Sequence, residues 1–191
     1  MKTVFFDIDT QVDFVYPAGA LYVPGAERIL PAIAELNRRA PVLISTMCTH
    51  SEDDPEFSIY PHHCVAGTVG QQKPLATLRE KRLVIPGFID GGEQLILEKH
   101  ELDCFSSPHL RPLLAGLAAD RYVVYGVVTE ICVRFAAFGL LKTGKQVELV
   151  TDAVKALDEA AAEKMFSDFA EAGGILTTSA QVCQASAPFS S

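Results

Sequence analysis

The chain is short of positive charge. Sixteen Lys and Arg stand against 24 Asp and Glu, a net charge of -8. That balance opposes phosphate backbones and anionic bilayers, so neither nucleic acid nor a membrane is an expected partner. Long hydrophobic runs are missing as well. No apolar stretch approaches about 18 residues, and Met1-Lys2-Thr3 leads into an acidic strand rather than a secretory leader. The cytoplasm is the expected location. Cysteine pairs at CxxC spacing are absent: Cys48, Cys64, Cys104, Cys132 and Cys183 are an odd, scattered set. Free thiols in a reducing compartment explain them better than a disulfide framework, and at least three should be small buried hydrophobes. There is no repeat, low-complexity tract or long linker.

What remains has globular proportions. The 191 residues, 49% apolar and 21% charged, fit one domain over 1–191, with 184–191 as a peripheral tail. Short apolar runs recur at 4–8, 42–46, 95–97, 122–127, 147–150 and 175–178. Their near-continuous hydrophobicity suits parallel strands covered on both faces. Helical periods lie between them: Ile29, Ile33 and Leu36 share one face, and Leu157, Ala161, Met165 and Phe169 recur every four residues before Gly173-Gly174. The expected fold is α/β, a three-layer αβα sandwich with a mostly parallel sheet. Right-handed crossovers then gather the functional loops beyond the carboxyl ends of the strands. The segment from Cys48 to Lys73, with Pro55, Pro61, Gly67 and Gly70, breaks the rhythm and is the first place to look for a site.

Three residues at strand ends converge on that edge. Asp9 ends the first run, Lys99 follows the third, and Cys132 follows the run closing at Val127. A carboxylate, an ammonium and a thiol in one cleft can perform nucleophilic acyl chemistry. A thiol where a helix begins, near a lysine, is expected to have a depressed pKa; position alone leaves Cys132 equally a core residue. Asp7 shares a pleat face with Asp9, so the two carboxylates are expected to raise the Asp9 pKa.

Asp9-Thr10-Gln11-Val12-Asp13-Phe14 resembles the opening D-x-Q-x-D-F of the isochorismatase-like cysteine hydrolases, which include the nicotinamidases. The segment from Gly126 to Val133 is similar to that family's nucleophile segment, and the likeness runs on through Val150-Thr151-Asp152-Ala153. It implies Cys132 as nucleophile, Asp9 as proton acceptor and donor, and Lys99 as electrostatic partner. It also implies a cis peptide at Val127–Val128 that aims the Val128 and Cys132 amides at an oxyanion. Tyr60-Pro61-His62-His63-Cys64-Val65-Ala66-Gly67-Thr68-Val69-Gly70 resembles a stretch characteristic of nicotinamidases, whose histidine binds a divalent metal together with an upstream D-x-H pair. Here that pair reads Cys48-Thr49-His50, with cysteine where aspartate is usual, and Glu56 matches an additional ligand position. The implied metal set is Cys48, His50, Glu56 and His63, and two imidazoles with a carboxylate and a thiolate favour zinc. Phe14 and Tyr60 match positions that sandwich a flat substrate ring, although core packing is a serious alternative for Phe14. His62, His100 and His109 are expected at the surface. Gln11 and Asp13 are expected to fix loop geometry.

The implied activity is hydrolysis of a small carboxamide through a thioester, nicotinamide to nicotinate and ammonia. A second reading keeps the scaffold but, because of Cys48 and Asp103-Cys104-Phe105, acts without a strong metal on another amide or a ureido compound. A third is a non-catalytic binding protein. The helix after Cys132, apolar nearly all round, is either deeply buried or an interface in a homo-oligomer.

Overall fold

The computed structural model describes residues 1–85 and 94–185. Seven strands form one parallel sheet: β1 (Thr3–Ile8), β2 (Leu43–Cys48), β3 (Arg82–Ile85), β4 (Gln94–Lys99), β5 (Arg121–Val127), β6 (Gln146–Lys155) and β7 (Ile175–Thr177). Their order is β3-β4-β2-β1-β5-β6-β7. The chain steps one way from β1 to β2 and the other way from β5 to β6. Right-handed crossovers therefore place α2 (Leu30–Arg39) and α4 (Arg134–Leu141) on opposite faces. Helix α6 (Ser179–Ala185) packs beside α2, and α5 (Glu159–Glu171) beside α4, completing an α/β three-layer sandwich. A four-residue helix, α1 (Val12–Val15), and α3 (Leu110–Leu117) complete the set.

This order makes β1 the switch point, with β2 on one side and β5 on the other. A crevice opens beyond the carboxyl ends of strands at such a point. Gly126 lets β5 press against β1 there: its φ is +121°, and an added Cβ would collide with the Ile8 carbonyl oxygen. The pairing of β5 with β6 shifts register at the same place.

Two expectations about elements need correction. Strand β3 was not anticipated, because Arg82–Ile85 is a short edge strand of alternating exposure rather than an apolar run; Lys99 accordingly ends the fourth strand. Leu157 does not share the buried face of α5. Asp158 caps that helix by accepting from the Ala160 and Ala161 amides, so Leu157 precedes it and is exposed, and the buried face runs through Ala162, Met165 and Phe169. The predicted stop holds. Gly173, at φ +92°, closes a Schellman pair of hydrogen bonds, Gly174 N–H to the Phe169 carbonyl and Gly173 N–H to that of Ala170. Of the expected tail, Gln184 and Ala185 finish α6, and 186–191 lie outside the described residues. Among the described residues no helix is long and apolar enough to cross a membrane.

Gly126→Ala is expected to lower the free energy of urea unfolding by more than about 1 kcal/mol, and the midpoint with it, since both the backbone conformation and the Ile8 contact exclude a side chain. An unchanged midpoint would show that β5 can draw back from β1.

Candidate active site

Strand β1 carries two acidic residues that part company at its end. The chain leaves the extended conformation at Asp9, whose φ is +44°. Asp7 is thereby left in a buried network beneath the site: Thr10 donates to its carboxylate, as do Asn37 Nδ2 at 3.1 Å and Ser45 Oγ at 3.2 Å, and Lys73 Nζ lies 3.3 Å away. Asp9 has its own lysine, with Lys99 Nζ 2.9 Å from Oδ2. Thr46 Oγ1 accepts from the Asp9 amide at 3.1 Å and donates to Oδ1 at 2.6 Å. Burial pushes the Asp9 carboxyl up, but the Lys99 ammonium and the hydrogen bonds outweigh it and hold the pKa below the usual range. The expected rise through Asp7 is thus overturned: each carboxylate is matched to a different ammonium.

Strand register explains what else meets Lys99. Cys48 ends β2 and pairs with Lys99 at the end of β4, so their side chains leave the sheet on the same side. Lys99 Nζ lies 3.1 Å from Cys48 Sγ and 3.9 Å from Cys132 Sγ, and donates to the Glu101 carbonyl at 3.0 Å. Cys48 Sγ is also 3.6 Å from Asp9 Oδ2. Cys132 sits in a π turn, Thr129–Val133, that follows β5 and runs directly into α4. The neighbouring thiols act on each other's acidity. Cys48 is lowered to about 6, by Cys132 first and then by Lys99, against burial and the Asp9 charge. Cys132 is raised, by Cys48 first and then by burial. The expected depression at Cys132 is therefore not found, because two sulfurs compete for one ammonium and the Cys132 thiol is the one raised.

The long loop returns to this edge through a parallel bridge between His50 and Val65. The His50 amide donates to the Cys64 carbonyl, and the Ala66 amide donates to the His50 carbonyl. Asp13 and Gln11 pin the loop: Asp13 Oδ2 accepts from the Cys64 amide at 2.7 Å, and Gln11 Nε2 donates to the Cys48 and Gln71 carbonyls. The bridge brings His63 beside His50, with ring centroids 4.8 Å apart. His50, Glu56 and His63 each offer a ligand atom, all within 4.8 Å of one another. Each imidazole is oriented through Nδ1, His50 by Asp54 Oδ2 at 3.0 Å and His63 by the Pro61 carbonyl at 2.8 Å. His50 Nε2 is buried without a hydrogen-bond partner, as a metal ligand lacking its ion would be. Burial lowers the pKa of His63. It acts the same way on His50, but Cys48 and Asp54 outweigh it and raise that pKa to about 9. Two nitrogens and a carboxylate oxygen with open positions fit zinc. The structure does not bring Cys48 into this group, because its sulfur is drawn to Lys99 by the β2–β4 register.

Both clusters line one cleft. Cys48, Cys132, Glu56 and His63 share it with Phe14, Tyr60, Val127 and Val128. The peptide bond between Val127 and Val128 is cis. Leu21, Leu102, Ile131 and Leu157 complete the lining. An isochorismatase domain model matches residues 3–181. The chain belongs to the isochorismatase domain family. It is 27% identical over 176 residues to a nicotinamidase of Acinetobacter baylyi, covering 79% of this chain and 80% of that one. A structure of pyrazinamidase of Pyrococcus horikoshii in complex with zinc superposes with TM-score 0.82 at 27% identity, covering 93% of this chain and 99% of the other. PnC1 from L. infantum in complex with nicotinate gives TM-score 0.83 at 27% identity, covering 94% and 93%.

Within this isochorismatase-family cleft, several residues carry structure rather than chemistry. Glu130 Oε1 accepts from the Leu157 and Asp158 amides. Cys64 and Cys104 are buried, and burial pushes both thiols up, that of Cys104 to about 12. His62 is exposed and stacks on Phe57, and His100 and His109 are exposed as well. Sequence reasoning missed Thr46 and Asp54. The first shares with Cys48 the i, i+2 face of β2 that meets Asp9; the second lies four residues beyond His50, before Pro55, where its carboxylate also caps a short turn by accepting from the Glu56 amide.

Removing Lys99 strands a buried carboxylate. Breaking one side of such a pair costs about 3–5 kcal/mol, so Lys99→Met is expected to lose that much in urea unfolding at pH 7. Burial alone would then lift Asp9 above its unfolded pKa, the folded form would take up a proton first, and stability would rise as pH falls from 7 toward 5. The parent has the opposite sign: its Asp9 is depressed, and that contribution disappears only as pH falls through the folded pKa. Equal stability of variant and parent at pH 7 would rule the pairing out.

Proposed function

We propose that this chain, an amidohydrolase of the isochorismatase domain family, hydrolyses nicotinamide to nicotinate and ammonia. One observation carries the reading: the Cys132–Asp9–Lys99 cluster reaches through Cys132, and the His50–Glu56–His63 group through Glu56 and His63, the same narrow cleft. The first suits an amide carbonyl and the second a ring nitrogen. The rest of the lining, with Phe14, Tyr60, Leu21, Leu102 and Ile131, suits a flat apolar ring. The relatives named nicotinamidase or pyrazinamidase and the nicotinate complex support the same substrate class.

In this reading Asp9, ionised at neutral pH, takes the proton from Cys132 as its sulfur attacks the carbonyl carbon. The Val128 and Cys132 amides receive the resulting oxyanion. Asp9 returns the proton to nitrogen, the carbon–nitrogen bond breaks, and ammonia leaves a thioester. Asp9 then deprotonates a water that attacks the same carbon, releasing nicotinate and restoring the thiol. Lys99 keeps Asp9 anionic between proton transfers and balances charge on sulfur. A divalent cation held by His50, Glu56 and His63 would supply a Lewis-acid position for the ring nitrogen. Phe14 and Tyr60 would orient the ring.

A second reading, another amide or a ureido compound, rests on Cys48, which lines the cleft, and on Asp103-Cys104-Phe105. That segment gives the cleft only its neighbour Leu102. Cys104 is buried, and Phe105 packs under the Arg111 guanidinium, 5.2 Å from the ring centroid.

Cys132→Ala is expected to abolish ammonia release from nicotinamide while retaining nicotinate binding by calorimetry; substantial residual turnover would refute the nucleophile. His63→Ala is expected to lose bound zinc by elemental analysis and nicotinamide turnover together. Full turnover in a zinc-free variant would separate the two clusters.

A further inference from the structure

The reaction above uses one sulfur, yet the cleft holds two. Cys48 Sγ and Cys132 Sγ lie 3.1 Å and 3.9 Å from the same Lys99 nitrogen. Both line the cleft, and both are buried from bulk solvent except through it. The β2–β4 register fixes Cys48 in this position. The other three cysteines differ: Cys64 and Cys104 are buried and do not line the cleft, and Cys183 is half-buried on α6.

We propose that Cys48 and Cys132 form a dithiol that hydrogen peroxide closes into a reversible disulfide, shutting off the enzyme. The inactivation rests on the reading of Cys132 as nucleophile; the bond itself does not. With Asp9 taking its proton as in the reaction above, the Cys132 sulfur attacks one peroxide oxygen, the O–O bond breaks, and hydroxide leaves a sulfenic acid. The Cys48 sulfur then attacks that sulfur, the S–O bond breaks, and a second hydroxide leaves. The two protons lost by the thiols convert the hydroxides to water. Two thiols are oxidised by two electrons and one peroxide is reduced to two waters. A small thiol reductant reverses the bond by exchange. Cys48 thus resolves the sulfenic acid before it reaches the irreversible sulfinic state.

The enzyme as purified, with its metal, is treated with hydrogen peroxide, alkylated and mapped by non-reducing peptide mass spectrometry. The expected product is a Cys48–Cys132 linked peptide, with free thiols falling from the five of the reduced chain to three. Turnover should fall by at least about tenfold and return with dithiothreitol. In Cys48→Ala, or in Cys48→Ser should the first not fold, the linked peptide vanishes and Cys132 proceeds to sulfinic acid, which dithiothreitol does not restore. A parent enzyme that yields sulfinic Cys132 without the linked peptide, or keeps all its thiols, overturns the proposal. Should untreated enzyme release no ammonia from nicotinamide while the linked peptide still forms, the amidase reading fails and the dithiol stands.

Discussion

The site is organised around one buried ammonium. Lys99 Nζ has no solvent to share its charge with and finds a carboxylate at 2.9 Å and two sulfurs at 3.1 and 3.9 Å. Burial would lower its pKa, yet these partners raise it well above the ordinary lysine value. A charge so costly to desolvate persists only where its partners are fixed. The fixing is done by the sheet: Asp9, Cys48, Lys99 and Val127 lie at the ends of β1, β2, β4 and β5, which are neighbours in the order β4-β2-β1-β5. Fold and chemistry meet at the switch point, where these four strand ends surround one crevice.

A second ammonium–carboxylate pair, Lys73 with Asp7, lies one pleat deeper. It joins Asn37, Ser45 and Thr10, and Tyr125 Oη donates to Asn37 Oδ1 at 2.7 Å. Lys73 Nζ also donates to the Thr46 carbonyl. Thr46 therefore joins the layers, with its backbone held from below and its hydroxyl on Asp9. The reactive carboxylate rests on a polar foundation rather than directly on the apolar core.

Much of this was readable in the residues. Strand-end positions alone brought Asp9, Lys99 and Cys132 to one edge, and the histidine-containing loop stood out by its broken periodicity. What escaped depends on lateral order. That Cys48 meets Lys99 follows from which strands are neighbours and in what register, and a linear pattern does not carry that. The same gap produced the error on acidity, since a thiol near a lysine looks activated until a second thiol competes for the charge. Asp7 and Asp9 look like a repelling pair on a regular pleat, and only the backbone reversal at Asp9 separates them. Edge strand β3 lacks the continuous hydrophobicity that marks its neighbours, because one side of it meets no further strand.

The reversal at Asp9 has a chemical corollary. Left-handed backbone is tolerated best, after glycine, by aspartate and asparagine, whose short polar side chains bond locally. The amide isostere could keep the turn, the Thr46 contact and the shape of the crevice floor while discarding the negative charge. At this position scaffold and proton affinity are separable by exchanging a single oxygen for nitrogen, which residues in ordinary strand conformation, free to become almost anything, do not reveal so cleanly.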